Sequence, residues 1–196
     1  HITEQHIHNI DVSNWVKQKY PVKAYGMGGR RARTGKDHGE IFDHHFVEFD
    51  YEDGSKMFSQ CRHWKNTGSR VTESFQGTNG SAPKPGMLKT NSGYKIMNYD
   101  DKKDPNPYQV EHDLLFEAIA KGEYKFDDTE NGAKSTLTSI LGRMATYSGQ
   151  EVTWDEALNS TIDLMPAEVN WNANPQSMPD ADGNYPVPTP GVSVVI

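Results

Sequence analysis

The sequence predicts an α+β fold, in which an open, mostly antiparallel β-sheet is covered on one face by helices and followed by an extended tail. Three observations carry this prediction. One helical segment opens the chain, a run of short strand candidates separated by Gly, Asn, Ser and Pro follows, and further helices come last. This order is typical of helices layered on an antiparallel sheet, and it lacks the strand–helix alternation of a nucleotide-binding domain.

Length and composition set the outer limits. The chain has 196 residues, a net charge of -7 and one cysteine, Cys61, so an internal disulfide is excluded. The acidic balance argues against a nucleic-acid surface, and no apolar run is long enough to span a membrane. We predict one domain over residues 1–165 and an extended Pro/Asn-rich tail over 166–196. Because the chain opens at His1 almost inside a helix, we expect it to continue something that precedes it.

The first helix has an unusual polar stripe. At 3.6 residues per turn, one face collects Glu4, His8, Asp11 and Trp15. Ile7 and Val12 flank this stripe, and the far side carries His6, Ser13 and Lys17. We expect the stripe to face inward, which is costly for charged groups unless they are paired. Two interpretations stay open: a structural carboxylate–histidine network, or a histidine held by a carboxylate for general acid/base chemistry.

A glycine-rich segment follows the first predicted strand. Tyr20-Pro21 ends the helix and residues 22–25 form a strand, after which Gly26, Gly28 and Gly29 precede Arg30. A dinucleotide fingerprint is improbable here, because the third glycine is absent and no apolar-periodic helix comes next. We predict a glycine loop. Its arginines, Arg31 among them, are either solvated or able to lean over a ligand.

The strongest local prediction is a β-hairpin. Residues 41–51 and 56–64 form its strands, and Asp53-Gly54 is the turn signal. A two-residue turn would pair Phe49 with Phe58 and His45 with Arg62 on one face. On the other face it would pair Phe46 with Cys61 and His44 with His63. Both faces are then partly apolar, which indicates helices on one side and a partner on the other, or else a two-layer sandwich within the chain.

The remaining elements follow from turn and cap residues. Strands are predicted at residues 70–76, 86–89 and 94–98, and a helix runs from Pro107 to Lys121 and ends at Gly122. Its apolar face holds Tyr108, His112, Phe116 and Ile119, so His112 reads as a core residue. A second long helix runs from the Asp128-Thr129 cap to about Ser148, with a buried side of Leu137, Ile140, Leu141 and Met144. A capping box from Thr153 to Glu156 starts a short helix through Asn159.

The chemistry of these residues points to a proton-transfer site. We predict no metal site, because His6 and His8 diverge on a helix and His44 and His45 point to opposite faces of a strand. A serine-nucleophile elbow and a phosphate loop are both absent from the sequence. A carboxylate beside the His8 imidazole suits it to take a proton from a hydroxyl. Alcohol oxidation also needs a hydride acceptor, for which this chain shows no binding motif.

Five segments carry a family resemblance, which covers most of residues 1–160. The first is 4–15 with Glu4, His8 and Asp11; the others are 21–26 (PVKAYG), 41–54, 111–122 (EHDL…AI…G) and 141–156 (LGR…YSG…VTWDE). In order and spacing the chain resembles the carboxy-terminal domain of the Gfo/Idh/MocA oxidoreductases, the family of glucose–fructose oxidoreductase and inositol dehydrogenase. Residues 4–11 are similar to the family's D-x-x-x-H-x-x-D helix.

The resemblance implies an NAD(P)-dependent oxidoreductase acting on a sugar or polyol. An amino-terminal Rossmann domain, absent from this chain, would bind NAD or NADP and supply a lysine. His8 would be the catalytic base, Glu4 would replace the family's aspartate, and Asp11 would support the helix or the substrate. Arg31 and His112 are further candidates for substrate contact. The chain alone is then expected to be inactive.

The resemblance also implies a homo-oligomer formed through the open sheet face, in agreement with the two-sided hairpin. An NAD-dependent glycosidase of the same family is an alternative, because it would use the same histidine. A non-catalytic carbohydrate-binding or assembly module is the other. Family members with such tails are often exported bacterial proteins, so the periplasm and the cytoplasm both stay open as locations.

Overall fold

The computed structural model describes residues 1–195. Two compact units make up the chain. The first unit combines residues 1–68 with the chain from Ala133 onward, and the second comprises residues 69–132. Within the described residues, no helix is both long and apolar enough to cross a membrane.

In chain order the elements run from an amino-terminal helix to a short carboxy-terminal one. The first half contains α1 (Ile7–Lys17), β1 (Lys23–Gly29), β2 (His44–Asp50), β3 (Lys56–Arg62), β4 (Phe75–Gln76), β5 (Gly80–Lys84), β6 (Met87–Thr90) and β7 (Lys95–Asn98). The second half contains α2 (Pro107–Lys121), α3 (Thr129–Ser148), β8 (Val152–Thr153) and α4 (Trp154–Leu158). Single 3-10 turns cover Lys36–His38 and Asp101–Lys103.

The predicted α+β class is confirmed, with the strands divided between two antiparallel sheets. The first unit holds the sheet ordered β3-β2-β1-β8. One face of this sheet packs against α1 and α3 in a core of Ile2, Ile10, Ala24, Val47, Phe49, Leu141, Met144, Ala145, Val152 and Ala157. The opposite face, which we call the open face, exposes four large apolar side chains: Tyr25, Met27, Phe46 and Phe58.

The glycine segment belongs to strand β1, so the prediction of a glycine loop was wrong. A Cβ atom on Gly26 would lie 2.5 Å from the Phe46 carbonyl oxygen and 3.1 Å from Cγ2 of Thr146 in α3. The glycine therefore allows α3 to lie directly against the strand. Here glycine marks close backbone approach within a strand rather than the end of one.

The hairpin is present, but its predicted register was wrong by one residue. The Tyr51 amide donates to the Ser55 carbonyl and the Gly54 amide donates to the Tyr51 carbonyl, both at 2.9 Å. The loop therefore has three residues, and Gly54 occupies the left-handed region at φ +81°. Phe49 pairs with Met57, His45 with Cys61 and Glu48 with Phe58. This shift moves the Phe58 side chain to the open face.

The second unit holds the sheet ordered β4-β5-β6-β7 and helix α2. The predicted strand over 70–76 shortens to β4, and β5 was missed because Pro83 lies within it. Helix α2 has its predicted bounds, with the Asn106 side chain accepting from the Tyr108 amide at 3.0 Å and Gly122 at φ +67°. Within the described part of this unit, Ala118 is the only buried hydrophobic residue.

Helix α2 turns Ala118 inward and its predicted core face outward. Tyr108, Phe116 and Ile119 are exposed, and so is His112. The prediction of His112 as a core residue was therefore wrong. The apolar residues of this helix occur on more than one side, so their spacing alone does not identify the buried face.

Helices α3 and α4 follow the sequence signals closely. Leu141 and Met144 are buried, and Leu137 and Ile140 pack partly buried against the core. The capping box is formed: Thr153 Oγ1 accepts from the Glu156 amide, and the Glu156 carboxylate accepts from the Thr153 amide at 2.8 Å. In the tail, the Gly191 amide donates to the Ser148 carbonyl at 2.6 Å. The domain boundary at residue 165 stays a prediction.

Candidate functional site

Helix α1 does not bury the predicted polar stripe. Glu4, His8 and Trp15 are exposed, whereas Ile10 and Asn14 are 1% and 2% exposed. The helix begins only at Ile7, so Glu4 lies in the preceding turn, where its carboxylate accepts from the Gln5 side chain at 2.6 Å. The inward-facing stripe was therefore a wrong prediction, and Glu4 and His8 do not form the expected buried dyad.

A buried hydrogen-bond network explains the orientation of α1. The Tyr51 hydroxyl donates to Oδ1 of Asn14 at 3.1 Å, and Nδ2 of Asn14 donates to Thr138 Oγ1 at 3.1 Å and to Ser135 Oγ at 3.3 Å. The Ser135 hydroxyl donates to Oδ1 of Asp11 at 2.6 Å. A satisfied buried amide costs little, so Asn14 can share the inner face with Ile10.

The amino-terminal turn fixes the other end of α1. His6 Nε2 shares a hydrogen bond of 2.8 Å with the Ser59 hydroxyl on β3, on the side that had been predicted to face away. Asn14 holds the carboxy-terminal half as described above. His8 therefore projects to solvent from a helix that is attached to the sheet and to α3, and its imidazole can be reached by a ligand.

The structure contains a histidine–carboxylate pair that sequence reasoning missed. Oδ2 of Asp43 accepts from the backbone amides of Arg31, Ala32 and Arg33 at 2.9, 2.6 and 2.8 Å. Oδ1 accepts from Nδ1 of His44 at 2.8 Å. The Asp43 side chain is fully shielded from solvent, while that of His44 is 38% exposed. In the sequence, the signal for this pair is that Asp43 directly precedes His44.

Hydrogen bonding keeps the Asp43 carboxyl group ionised at neutral pH. Burial alone would raise the pKa of its carboxyl. Hydrogen bonds from His44 and from the neighbouring backbone amides instead hold that pKa well below its ordinary value. The N–H group at Nδ1 of His44 donates its hydrogen bond to the Asp43 carboxylate. In the neutral imidazole ring, Nε2 therefore carries no hydrogen and is the atom that can accept a proton.

Asp43 also accounts for the arginine cluster. Nε of Arg30 donates to the Arg33 carbonyl at 2.6 Å and its Nη2 donates to the Gly35 carbonyl at 3.0 Å, so Arg30 closes the loop on itself. Arg31 is exposed on the turn that Asp43 anchors.

His112 is exposed in the second unit, where its Nδ1 donates to the Tyr108 carbonyl at 2.6 Å. The roles of Arg31 and His112 as substrate ligands stay predictions.

A further histidine is excluded from acid/base chemistry by burial. His45 is 3% exposed and its Nδ1 shares a hydrogen bond of 2.9 Å with Thr146 Oγ1. Burial, together with positive charge from the amino terminus, His44, His6 and Arg143, lowers the pKa of His45 to about 3. Across the described residues, no three His, Cys, Asp or Glu side chains are grouped to hold a metal ion.

Solved structures share this fold at low sequence identity. Scyllo-inositol dehydrogenase from Lactobacillus casei with bound NAD(H) and scyllo-inositol has a TM-score of 0.58 and 18% identity, covering 76% of this chain and 47% of that chain. Myo-inositol 2-dehydrogenase from Lactobacillus plantarum has a TM-score of 0.56 and 18% identity, covering 75% and 46%. Aldose-aldose oxidoreductase from Caulobacter crescentus, complexed with glycerol, has a TM-score of 0.56 and 15% identity, covering 75% and 45%.

These comparisons concern the fold. The chain spans about half the length of the proteins it resembles, and the match lies on their carboxy-terminal domain. No protein-family model and no curated protein matches the sequence. The chain therefore has the fold found in the carboxy-terminal half of inositol and aldose oxidoreductases.

Proposed function

We propose that this chain is the substrate-binding part of a Gfo/Idh/MocA oxidoreductase that oxidises a sugar or polyol hydroxyl with NAD or NADP. The observation that carries the proposal is the shared fold with two inositol dehydrogenases and an aldose oxidoreductase. A second support is His8, which is exposed on a fixed helix and which the sequence resemblance matches to the family's histidine.

In this proposal His8 removes the proton from the hydroxyl that is oxidised. NAD or NADP would supply the hydride acceptor and would be held mainly by another domain, because Gly26 and Gly28 lie within strand β1 and offer no phosphate-binding loop. Asp11, bonded to Ser135, keeps the helix in place. Glu4 is close in sequence but outside the helix, and its role would be electrostatic.

The test is steady-state oxidation of a sugar and polyol panel by the full-length protein, followed by NADH or NADPH absorbance. We expect His8→Ala to lower kcat by about a hundredfold or more, the usual contribution of a general base. His63→Ala, which removes an exposed histidine at the end of β3, is the matched control and should keep its activity. Full turnover by His8→Ala would refute the assignment.

A second variant separates two possible bases. His44 is the imidazole whose orientation a buried carboxylate fixes, so His44→Ala belongs in the same experiment. A large loss confined to His44→Ala would move the role of base from α1 to the start of β2. Arg31→Gln should raise KM with little change in kcat if Arg31 binds substrate.

The same panel distinguishes the alternative functions. An NAD-dependent glycosidase would release a leaving group from an aryl glycoside with no net change in NADH, and His8→Ala would abolish that release. A carbohydrate-binding or assembly module would bind glycans without nicotinamide and would show no turnover.

We also propose that the open face is covered by a second copy of the chain. Four large apolar side chains there are between 43% and 67% exposed: Tyr25, Met27, Phe46 and Phe58. Exposed apolar surface of this kind typically marks an interface. Phe46→Lys should shift the protein to a smaller species in light scattering, whereas Tyr124→Lys, at an exposed site in the second unit, should not.

A further inference from the structure

A cavity of about 730 Å³ lies in the first unit at the end of α1 remote from His8. Its wall is formed by residues 19–23, by Glu52 of the hairpin loop, by Lys134 of α3 and by the Thr153–Asp155 stretch. Along the helix axis, Lys17 is roughly 14 Å from His8 at 1.5 Å per residue. The volume falls within the range of small-ligand sites, about 300–1,000 Å³.

Two aromatic rings form the apolar part of the wall. The ring centroids of Tyr20 and Trp154 are 5.9 Å apart with the planes inclined by 39°. The Nζ atom of Lys134 lies 5.3 Å from the Tyr20 ring centroid. Both rings are half-buried and line the cavity, and Trp154 also packs against the hydrophobic core.

The rings are held in place by the backbone. The Trp154 amide donates to the Val22 carbonyl at 2.8 Å, which ties the start of α4 to the segment that carries Tyr20. Pro21, which lies between Tyr20 and Val22 in the sequence, is buried. The Thr153 capping box fixes the first turn of α4. The aromatic wall therefore exists before any ligand arrives, which lowers the entropic cost of binding.

The polar rim carries both signs of charge. Lys19 pairs with Glu52 at 3.3 Å, Lys23 pairs with Glu151 at 2.8 Å, and Asp155 completes the acidic side. Since Lys19 and Lys23 are each matched by a carboxylate, they give the rim no strong preference for an anion or a cation. It offers ammonium donors and carboxylate acceptors next to apolar rings, and a hydroxyl group can both donate and accept.

From these features we infer that the cavity binds a neutral saccharide. A pyranose ring has an apolar C–H face, which would lie against Tyr20 and Trp154, and hydroxyl edges, which would meet the lysines and carboxylates of the rim. The site is separate from His8 and does not depend on the proposed oxidation. It would hold a second sugar unit of a glycan, or a separate glycan chain.

Binding is tested on the full-length protein with cellobiose, maltose and lactose, by NMR of ¹⁵N-labelled tryptophan indole groups. We expect a saturable shift of the Trp154 indole signal by at least one disaccharide, with a dissociation constant on the order of 1 mM. Tyr20→Ala should weaken this binding by about tenfold or more, as expected for a central aromatic contact. Tyr124→Ala, at an exposed tyrosine of the second unit, should leave it unchanged.

Two further variants keep the outcome decisive. Lys134→Gln removes the ammonium group over Tyr20 without removing a ring, and it serves if Tyr20→Ala does not fold. His8→Ala should bind the disaccharides normally, even if it has lost turnover. The inference is overturned if none of the three sugars gives a saturable Trp154 shift at about 20 mM, or if Tyr20→Ala and Lys134→Gln both bind as the wild type does.

Discussion

Replacing Asp43 by asparagine tests the most heavily hydrogen-bonded carboxylate described here. The wild-type carboxylate accepts three backbone amides through one oxygen and the His44 imidazole through the other. Asp43→Asn preserves the size and shape of the side chain. It removes the negative charge, and its amide group can present an oxygen to only one of the two sets of donors.

The magnitude follows from the number of amides. A hydrogen bond to a charged group contributes about 1.5–3 kcal/mol to stability, against about 0.5–1.5 kcal/mol for a neutral one. If the asparagine oxygen takes the position of Oδ2, three bonds from Arg31, Ala32 and Arg33 lose charge assistance, at about 1 kcal/mol each. We therefore expect the free energy of unfolding to fall by about 3 kcal/mol at pH 7.

Urea denaturation measures this loss as a lower midpoint with an unchanged m-value. The pKa of Asp43 in the folded protein lies below its ordinary value of 3.8. The carboxylate therefore stabilises the fold fully above pH 3.8, and this contribution disappears as the pH falls further below that value. The difference between wild type and Asp43→Asn should narrow accordingly in acid.

Asp53→Asn is the matched control. Hydrogen bonds from Lys17 and Ser55 also lower the pKa of Asp53, but this carboxylate is exposed at the hairpin loop. Solvent screening should make its replacement much less costly than that of Asp43. A loss below about 1 kcal/mol in Asp43→Asn, or a loss that is the same at pH 7 and pH 3, would refute the reasoning.

Three other predictions concern the packing of the first unit. Gly26→Ala should lower the melting temperature, because the added methyl group would overlap the Phe46 carbonyl oxygen. The expected overpacking cost is about 1–3 kcal/mol. Gly68→Ala is the control, since a Cβ atom there has no neighbour within 4 Å. Asn14→Ala should cost about 3 kcal/mol in urea denaturation, since the Tyr51 hydroxyl loses its acceptor, and adding Tyr51→Phe should recover part of the loss. Burial lowers the pKa of His45 from 6.5 to about 3. The neutral His45 side chain therefore contributes fully to stability above pH 6.5, and this contribution is lost as the pH falls towards 3. His45→Gln should flatten the curve of unfolding free energy against pH over that range.

The helices at the end of the chain could be predicted because their signals are local. Pro107 at the first helical position, Gly122 after the last turn and the Thr153–Glu156 capping box each act through neighbours within four residues. Their physical effect does not depend on the rest of the fold. The predicted and observed bounds of α2 are therefore the same, and those of α4 differ by one residue.

The orientation of α1 could not be predicted, because its determinants are distant in sequence. The inner face depends on Asn14, whose partners Ser135 and Thr138 lie 121 and 124 residues away. Without those partners a buried asparagine looks costly, and a stripe with Ile7 and Val12 at its edges looks equally apolar. The candidate site inherited this error, since the exposure of His8 follows from the rotation of the helix.

The hairpin shows how one residue of loop length changes a surface. Asp53-Gly54 correctly indicates a tight turn, but the sequence does not distinguish a two-residue loop from a three-residue loop ending in a left-handed glycine. The difference decides whether Phe58 pairs with Phe49 or with Glu48.

The Asp43–His44 pair could not be predicted either, because the amides that bind Asp43 come from a loop ten to twelve residues away.

With Ala118 as the sole buried hydrophobic residue described in it, the second unit has little to resist opening. Local opening requires the least free energy where few apolar atoms leave contact and where backbone hydrogen bonds already adjoin water. Amides of β6 and β7 should therefore exchange with deuterated solvent long before those of β1 and β2. A protease acting on the native protein should cut first between residues 69 and 132.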